Sequence, residues 1–186
     1  MKLLILIGLV SVLALMLIRS FRSEPSLQPG DLAPEFKLPD QTGTIRSLSD
    51  FSGHWRVLYF YPKDDTPGCT KEACHFRDDF ARLKALGAEV IGISVDSPAS
   101  HARFASKYQL PFLLLADQSG ETARAYGSLM DFGLFRMARR YTFLIDPTGR
   151  VAAVYRKVDA NTHSSQVIDD LQSQLIKTNN SPTHGR

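Results

Sequence analysis

Cys69 and Cys74 are the chain's two cysteines, and the segment that holds them carries the clearest chemistry. Val57–Phe80 reads VLYFYPKDDTPGCTKEACHFRDDF. Val57–Tyr61 is a continuous apolar run of β-branched and aromatic side chains, the pattern of a buried strand in a parallel sheet. Pro62 stops it, Lys63–Gly68 forms a polar loop, and a helical pattern begins at Cys69. Cys69, Ala73, Phe76, Phe80 and Leu83 then recur at helical spacing as one apolar stripe. Cys69 is therefore expected in the first turn of a helix, on its core side. Unpaired backbone N–H groups and the positive end of the helix dipole stabilise an anion there. A thiol so placed should lose its proton more readily, and the thiolate is the nucleophile. Cys74 is rotated off the stripe toward Arg77 and Asp78. In a helix, residues five apart lie roughly 8–9 Å apart between Cα atoms, whereas a disulfide requires at most about 7 Å. If the two cysteines bond, the turn between them must unwind.

The elements that would position this segment follow from the rest of the chain. At 186 residues and 44% hydrophobic content, one domain with its own core is expected. Gly30–Phe51 reads as an extended lead-in with a hairpin around Asp40–Gly43. Gly87 stops the cysteine-bearing helix, and Glu89–Val95 is a second buried strand. Ser97-Pro98 opens a helix to Tyr108, Phe112–Leu115 is a short strand, and Ser119–Tyr126 a short helix ended by Gly127. Ser128–Ala138 has no regular pattern despite its apolar content, which is expected to pack over the domain edge. Tyr141–Ile145 and Val151–Tyr155 flank the turn Asp146-Pro147-Thr148-Gly149 as a hairpin. Ser164–Ile176 closes as a helix with Val167, Ile168, Leu171, Leu175 and Ile176 on its core face. This order predicts a thioredoxin-like three-layer α/β sandwich with an N-terminal hairpin addition.

Outside the domain, Leu3–Ile18 is an unbroken run of apolar or small residues between Lys2 and Arg19. A retained membrane anchor is expected over a cleaved signal, because no small-residue cleavage site follows. Counting basic side chains places the domain on the cytoplasmic face, with an exported or lumenal domain as the alternative. The predicted organisation is anchor or signal 1–22, linker 23–29, domain 30–177 and a disordered tail 178–186, with membrane contact through residues 3–18.

Composition narrows the functions. The net charge of +3 is spread along the chain, with Arg136, Arg139 and Arg140 its one tight cluster, so no nucleic-acid partner is expected. Two cysteines are too few for a disulfide scaffold or a Cys₄ zinc site, and adding His54 and His75 fits no standard zinc spacing. A C-x-x-C oxidoreductase and a C-x-x-x-C copper-handling protein using His163 both require closer cysteines than these. His163 falls near a helix start with no role that the pattern assigns.

The residues also match a known family. P-K-D-D-T-P-G-C at Pro62–Cys69 fits P-x-x-x-T-x-x-C, and the chain resembles the peroxiredoxins. The second cysteine in T-K-E-A-C is similar to the bacterioferritin-comigratory-protein or Q-type branch. GDLAPEFKLPDQTG at Gly30–Gly43, Tyr126-Gly127 and RYTFLID at Arg140–Asp146 extend the resemblance over residues 27–177. The resemblance implies a peroxidase acting on hydrogen peroxide and organic hydroperoxides, with Cys69 peroxidatic and Cys74 resolving. Thr66 would hydrogen-bond the thiolate and the peroxide, and Pro62 would shield the pocket. Arg140, rather than its neighbour Arg139, would hold the thiolate and polarise the peroxide bond. Thioredoxin or a similar dithiol would be the reductant of a monomeric domain, with no metal, flavin or haem cofactor.

Each role has a plainer alternative at this stage. Cys69 could be a buried structural cysteine, Cys74 an inert thiol, Thr66 a helix cap and Arg140 a surface arginine. Glu72 reads as a first-turn acid favoured by the helix dipole, and His75 as a solvated imidazole.

Overall fold

The computed structural model describes residues 27–133 and 135–180. Its centre is a five-stranded sheet built on the apolar run identified above. β3 (Trp55–Phe60) is buried at every position and pairs in parallel with β4 (Ala88–Ser94), which pairs in parallel with β5 (Leu113–Ala116). On its other side β3 pairs antiparallel with β8 (Tyr141–Ile145), and β8 with β9 (Val151–Tyr155), giving the order β5-β4-β3-β8-β9. A separate hairpin of β1 (Lys37–Pro39) and β2 (Ile45–Ser47) leads in, followed by a 3-10 turn at Leu48–Phe51.

Alternation along β3 divides the core. Val57, Tyr59 and Tyr61 face one layer; Leu58 and Phe60 face the other. The first layer holds α1 (Pro67–Asp78), α2 (Phe80–Ala85), α3 (Pro98–Tyr108) and α5 (His163–Asn180), contributing Phe76, Leu83, Phe104, Val167, Ile168 and Leu171. The second layer holds α4 (Glu121–Ala125) and the N-terminal hairpin, with Leu38, Leu48, Ala123 and Tyr126 against Phe143 and Ile145. Burying a side chain of this size stabilises the fold by about 1.5–3 kcal/mol, and β3 contributes to both layers. One close approach demands glycine. A Cβ at Gly92 would lie 2.8 Å from the Tyr59 ring, its cross-strand neighbour, and from Leu114.

Four expectations are corrected. The stripe Cys69–Leu83 is carried by two helices, because the chain turns at Asp79 (φ −91°, ψ 2°). The Asp79 carboxylate accepts from Ser164 Oγ at 2.7 Å and Arg82 Nη1 at 3.0 Å, fixing that turn against the start of α5. Ser128–Ala138 is a hairpin, with β6 (Leu129–Asp131) antiparallel to β7 (Arg136–Ala138). Leu129 and Ala138 are buried as anchors, and each strand is too short to display a period of two. Ile176 is 60% exposed, one helical position beyond the face that α5 buries. The expected membrane anchor at 3–18 lies outside the described residues, and no described helix is long and apolar enough to cross a membrane. Even α5, with 18 residues, carries Asp169, Asp170 and Lys177 and reads as an amphipathic core helix.

Candidate active site

The site forms where β3 ends. Pro62 is partly buried just past Tyr61, and the loop to Thr66 passes through Asp65 in a left-handed conformation (φ 59°). Thr66 then takes the extended backbone of an N-cap (φ −90°, ψ 149°), and Pro67 occupies the first helical turn, where its missing N–H costs nothing. Thr66 Oγ donates to the Lys63 carbonyl at 3.0 Å and makes no side-chain cap. Cys69 follows in the first turn and is 2% exposed. Cys74 is partly buried on the same helix, and both cysteines are free thiols. With the helix intact between them, the estimated separation of roughly 8–9 Å still exceeds disulfide reach.

Arg140 stands between β7 and β8, one residue before Tyr141, which pairs with Phe60 at the end of β3. Its Nη2 donates to Cys69 Sγ at 3.3 Å, and its Nη1 donates to Glu72 Oε2. Arg139 is exposed, with its backbone N–H on the Ser128 carbonyl at 2.6 Å, and Arg140 is the one of the two whose side chain meets Cys69. Gly68 makes the approach possible: a Cβ there would stand 3.2 Å from Arg140 Nη2.

Glu72 is the residue that the sequence reading misplaced. It lies one turn beyond Cys69, 1% exposed, with Oε1 left without a hydrogen-bond partner. Burial pushes its pKa up to about 7, against the pull of Arg140. Burial opposes the Arg140 charge in turn, but Glu72 and then Cys69 outweigh it and raise the guanidinium's pKa. One cation is thus shared between a carboxylate that orients it and a sulfur that it faces. A signal was present in the sequence: Glu72 stands three residues after Cys69 and next to Ala73, inside the apolar stripe. An acid in that place needs a buried cation.

His163 starts α5 and is also buried. Its Nε2 lies 2.8 Å from Thr142 Oγ1, and the ring stands edge-on to Phe76 and Tyr155. Burial lowers its pKa to about 4, so the imidazole is neutral and works as packing behind the site.

This arrangement suits attack by sulfur on a polar bond whose leaving atom gains negative charge. A fixed guanidinium and the N–H groups of a helix start are aimed where that charge appears.

Residues 29–154 match the AhpC/TSA family. A Coxiella burnetii protein named peroxiredoxin bcp is 46% identical over 150 residues, covering 78% of this chain and 99% of the relative. A chloroplastic peroxiredoxin Q of Gentiana triflora is 44% identical over 146 residues, covering 77% of this chain and 66% of the relative. The crystal structure of the peroxidoxin BcpB from Mycobacterium tuberculosis superposes with a TM-score of 0.75 at 37% identity, covering 79% of this chain and 97% of that one. These relatives carry bacterial and chloroplastic names, which overturns the expectation of a domain anchored to a membrane on its cytoplasmic face.

Proposed function

The chain belongs to the AhpC/TSA family as a peroxiredoxin of the bcp and Q kind, and from that premise we propose that Cys69 is its peroxidatic cysteine and Cys74 its resolving one. The activity is thiol-dependent reduction of hydrogen peroxide and organic hydroperoxides. The Cys69 thiolate attacks one peroxide oxygen, the O–O bond breaks, and the leaving oxygen departs as water or an alcohol once protonated. Arg140 stabilises the charge on that oxygen and holds the thiolate in place, while Glu72 orients Arg140. The Thr66 hydroxyl can turn from Lys63 toward the peroxide, and Pro62 covers the sulfur on the strand side. Cys69 is left as a sulfenic acid. The Cys74 thiol attacks that sulfur, a disulfide forms and water leaves. Thioredoxin or a similar dithiol then reduces the disulfide and becomes oxidised itself.

The observation that carries this reading is the Arg140 Nη2 to Cys69 Sγ contact of 3.3 Å at a helix start. Rapid mixing of the reduced protein with hydrogen peroxide tests it. Fast loss of the Cys69 thiol that persists in chelator and disappears in Cys69→Ser supports the assignment. In Cys74→Ser the reaction should stop at a trappable sulfenic acid. A rate no faster than free cysteine, or no Cys69–Cys74 disulfide in the peroxide-treated unaltered protein, would refute it.

A further inference from the structure

The mechanism leaves unused a second buried cluster, on the opposite flank of the same loop. Asp64 is a buried carboxylate between β3 and α1, and His101 on α3 is fully buried. His101 Nδ1 lies 2.9 and 3.1 Å from the two Asp64 oxygens, and Tyr61 Oη donates to Asp64 Oδ1 at 2.8 Å. His101 Nε2 has no partner. The Asp64 backbone N–H donates to Asp96 Oδ2 at 2.9 Å, and Ser94 Oγ donates to the same oxygen at 2.7 Å. The next residue repeats the attachment at the surface: Asp65 accepts from Lys107 Nζ at 2.8 Å and Tyr108 Oη at 2.7 Å. Two successive carboxylates therefore bolt the loop to α3, the inner one at the cost of burying charge. Burial works to raise the Asp64 pKa, but the His101 contact outweighs it and holds the carboxyl below its usual range.

The position of these bolts matters for the reaction. Cys69 cannot reach Cys74 until the first turn of α1 opens, and Cys69 stands four residues past Asp65. The chain before the opening turn is thus held by α3, and the chain after it by the Glu72–Arg140 pair. Resting on the assignment of Cys69 as peroxidatic and Cys74 as resolving, we propose that His101 is a positioning residue: through Asp64 it keeps the Cys69 turn closed for peroxide attack and confines opening to the residues after Asp65. A ligand or contact that favours one of two conformations shifts their populations. Without His101 the closed form is less populated, so attack on peroxide slows while formation of the Cys69–Cys74 disulfide quickens.

Quenched-flow with thiol alkylation and mass spectrometry resolves the two steps. In His101→Ala the attack rate should fall about tenfold and the disulfide rate should rise by a similar factor, the size carried by one charge-assisted hydrogen bond. His101→Gln, whose amide N–H can still donate to Asp64, should return both rates toward the original. If His101→Ala does not fold, Asp64→Asn carries the same two expectations. Opposed changes distinguish positioning from weakened folding, which would lower both rates together. Unchanged rates, or a common fall, with both steps intact in the unaltered protein overturns the proposal alone. An unaltered protein that lacks either step removes the cysteine assignment and the proposal with it.

Discussion

Glu72→Gln tests the physical account of the site more directly than any change at the sulfur. In the folded chain burial holds the Glu72 pKa up, from 4.5 to about 7. A raised folded pKa means that the folded state binds the proton more tightly than the unfolded chain. Stability from that source is fully present below pH 4.5 and is lost as pH rises through about 7. At ~1.36 kcal/mol per pH unit, the gap amounts to about 3 kcal/mol, and Glu72 is buried well enough that solvent does not dilute the effect. Glutamine keeps the shape and an acceptor for Arg140 but has no proton to lose. Urea unfolding of both proteins at pH 4 and pH 8 reads the difference. The stability of the variant relative to the original should improve by about 3 kcal/mol between the two pH values. A relative stability that is the same at both would mean that Arg140 offsets the burial of the carboxylate in full, and the raised Glu72 pKa would be refuted.

Other perturbations probe separate parts of the argument. Arg140→Met should slow the peroxide step by about 10²–10³-fold in rapid mixing. Arg140→Lys should recover only part of it, since one ammonium cannot serve Cys69 and Glu72 in the fork geometry. His163 has a folded pKa lowered to about 4 from 6.5, so its contribution is present above pH 6.5 and lost as pH falls through about 4. Replacing His163 with Gln should flatten acid destabilisation in that window by about 3 kcal/mol, read by unfolding at pH 7 and pH 4. Gly92→Ala places a methyl against the Tyr59 ring and Leu114, and should cost about 1–3 kcal/mol in thermal or urea unfolding.

What could be read before the structure was whatever one segment displays by itself. The Val57–Tyr61 run, the helix that carries Cys69 and the Ser97-Pro98 cap each carry their own local signal, and the structure places them accordingly, except that the helix starts at Pro67 rather than Cys69. Relations between distant segments were mostly hidden. Asp64 and His101 stand 37 residues apart, and nothing in either neighbourhood announces that they meet. Glu72 was within reach, as an acid inside an apolar stripe, but the helix dipole offered a ready surface explanation. Arg140 came through resemblance, and its choice over Arg139 needed coordinates because the two differ by one position at a strand start. The β6–β7 hairpin escaped because strands of three residues are too short to show alternation.

The turn at Asp79 has a consequence for what happens after the sulfur is oxidised. Because the cysteine-bearing stretch is a separate segment from the Phe80–Ala85 segment, movement that begins at Cys69 meets a seam before it meets Leu83. Ser164 and Arg82 hold that seam from two sides. Each catalytic cycle can then remodel about one turn of backbone while the interior beneath it stays in register, ready to re-form the site when the disulfide is reduced.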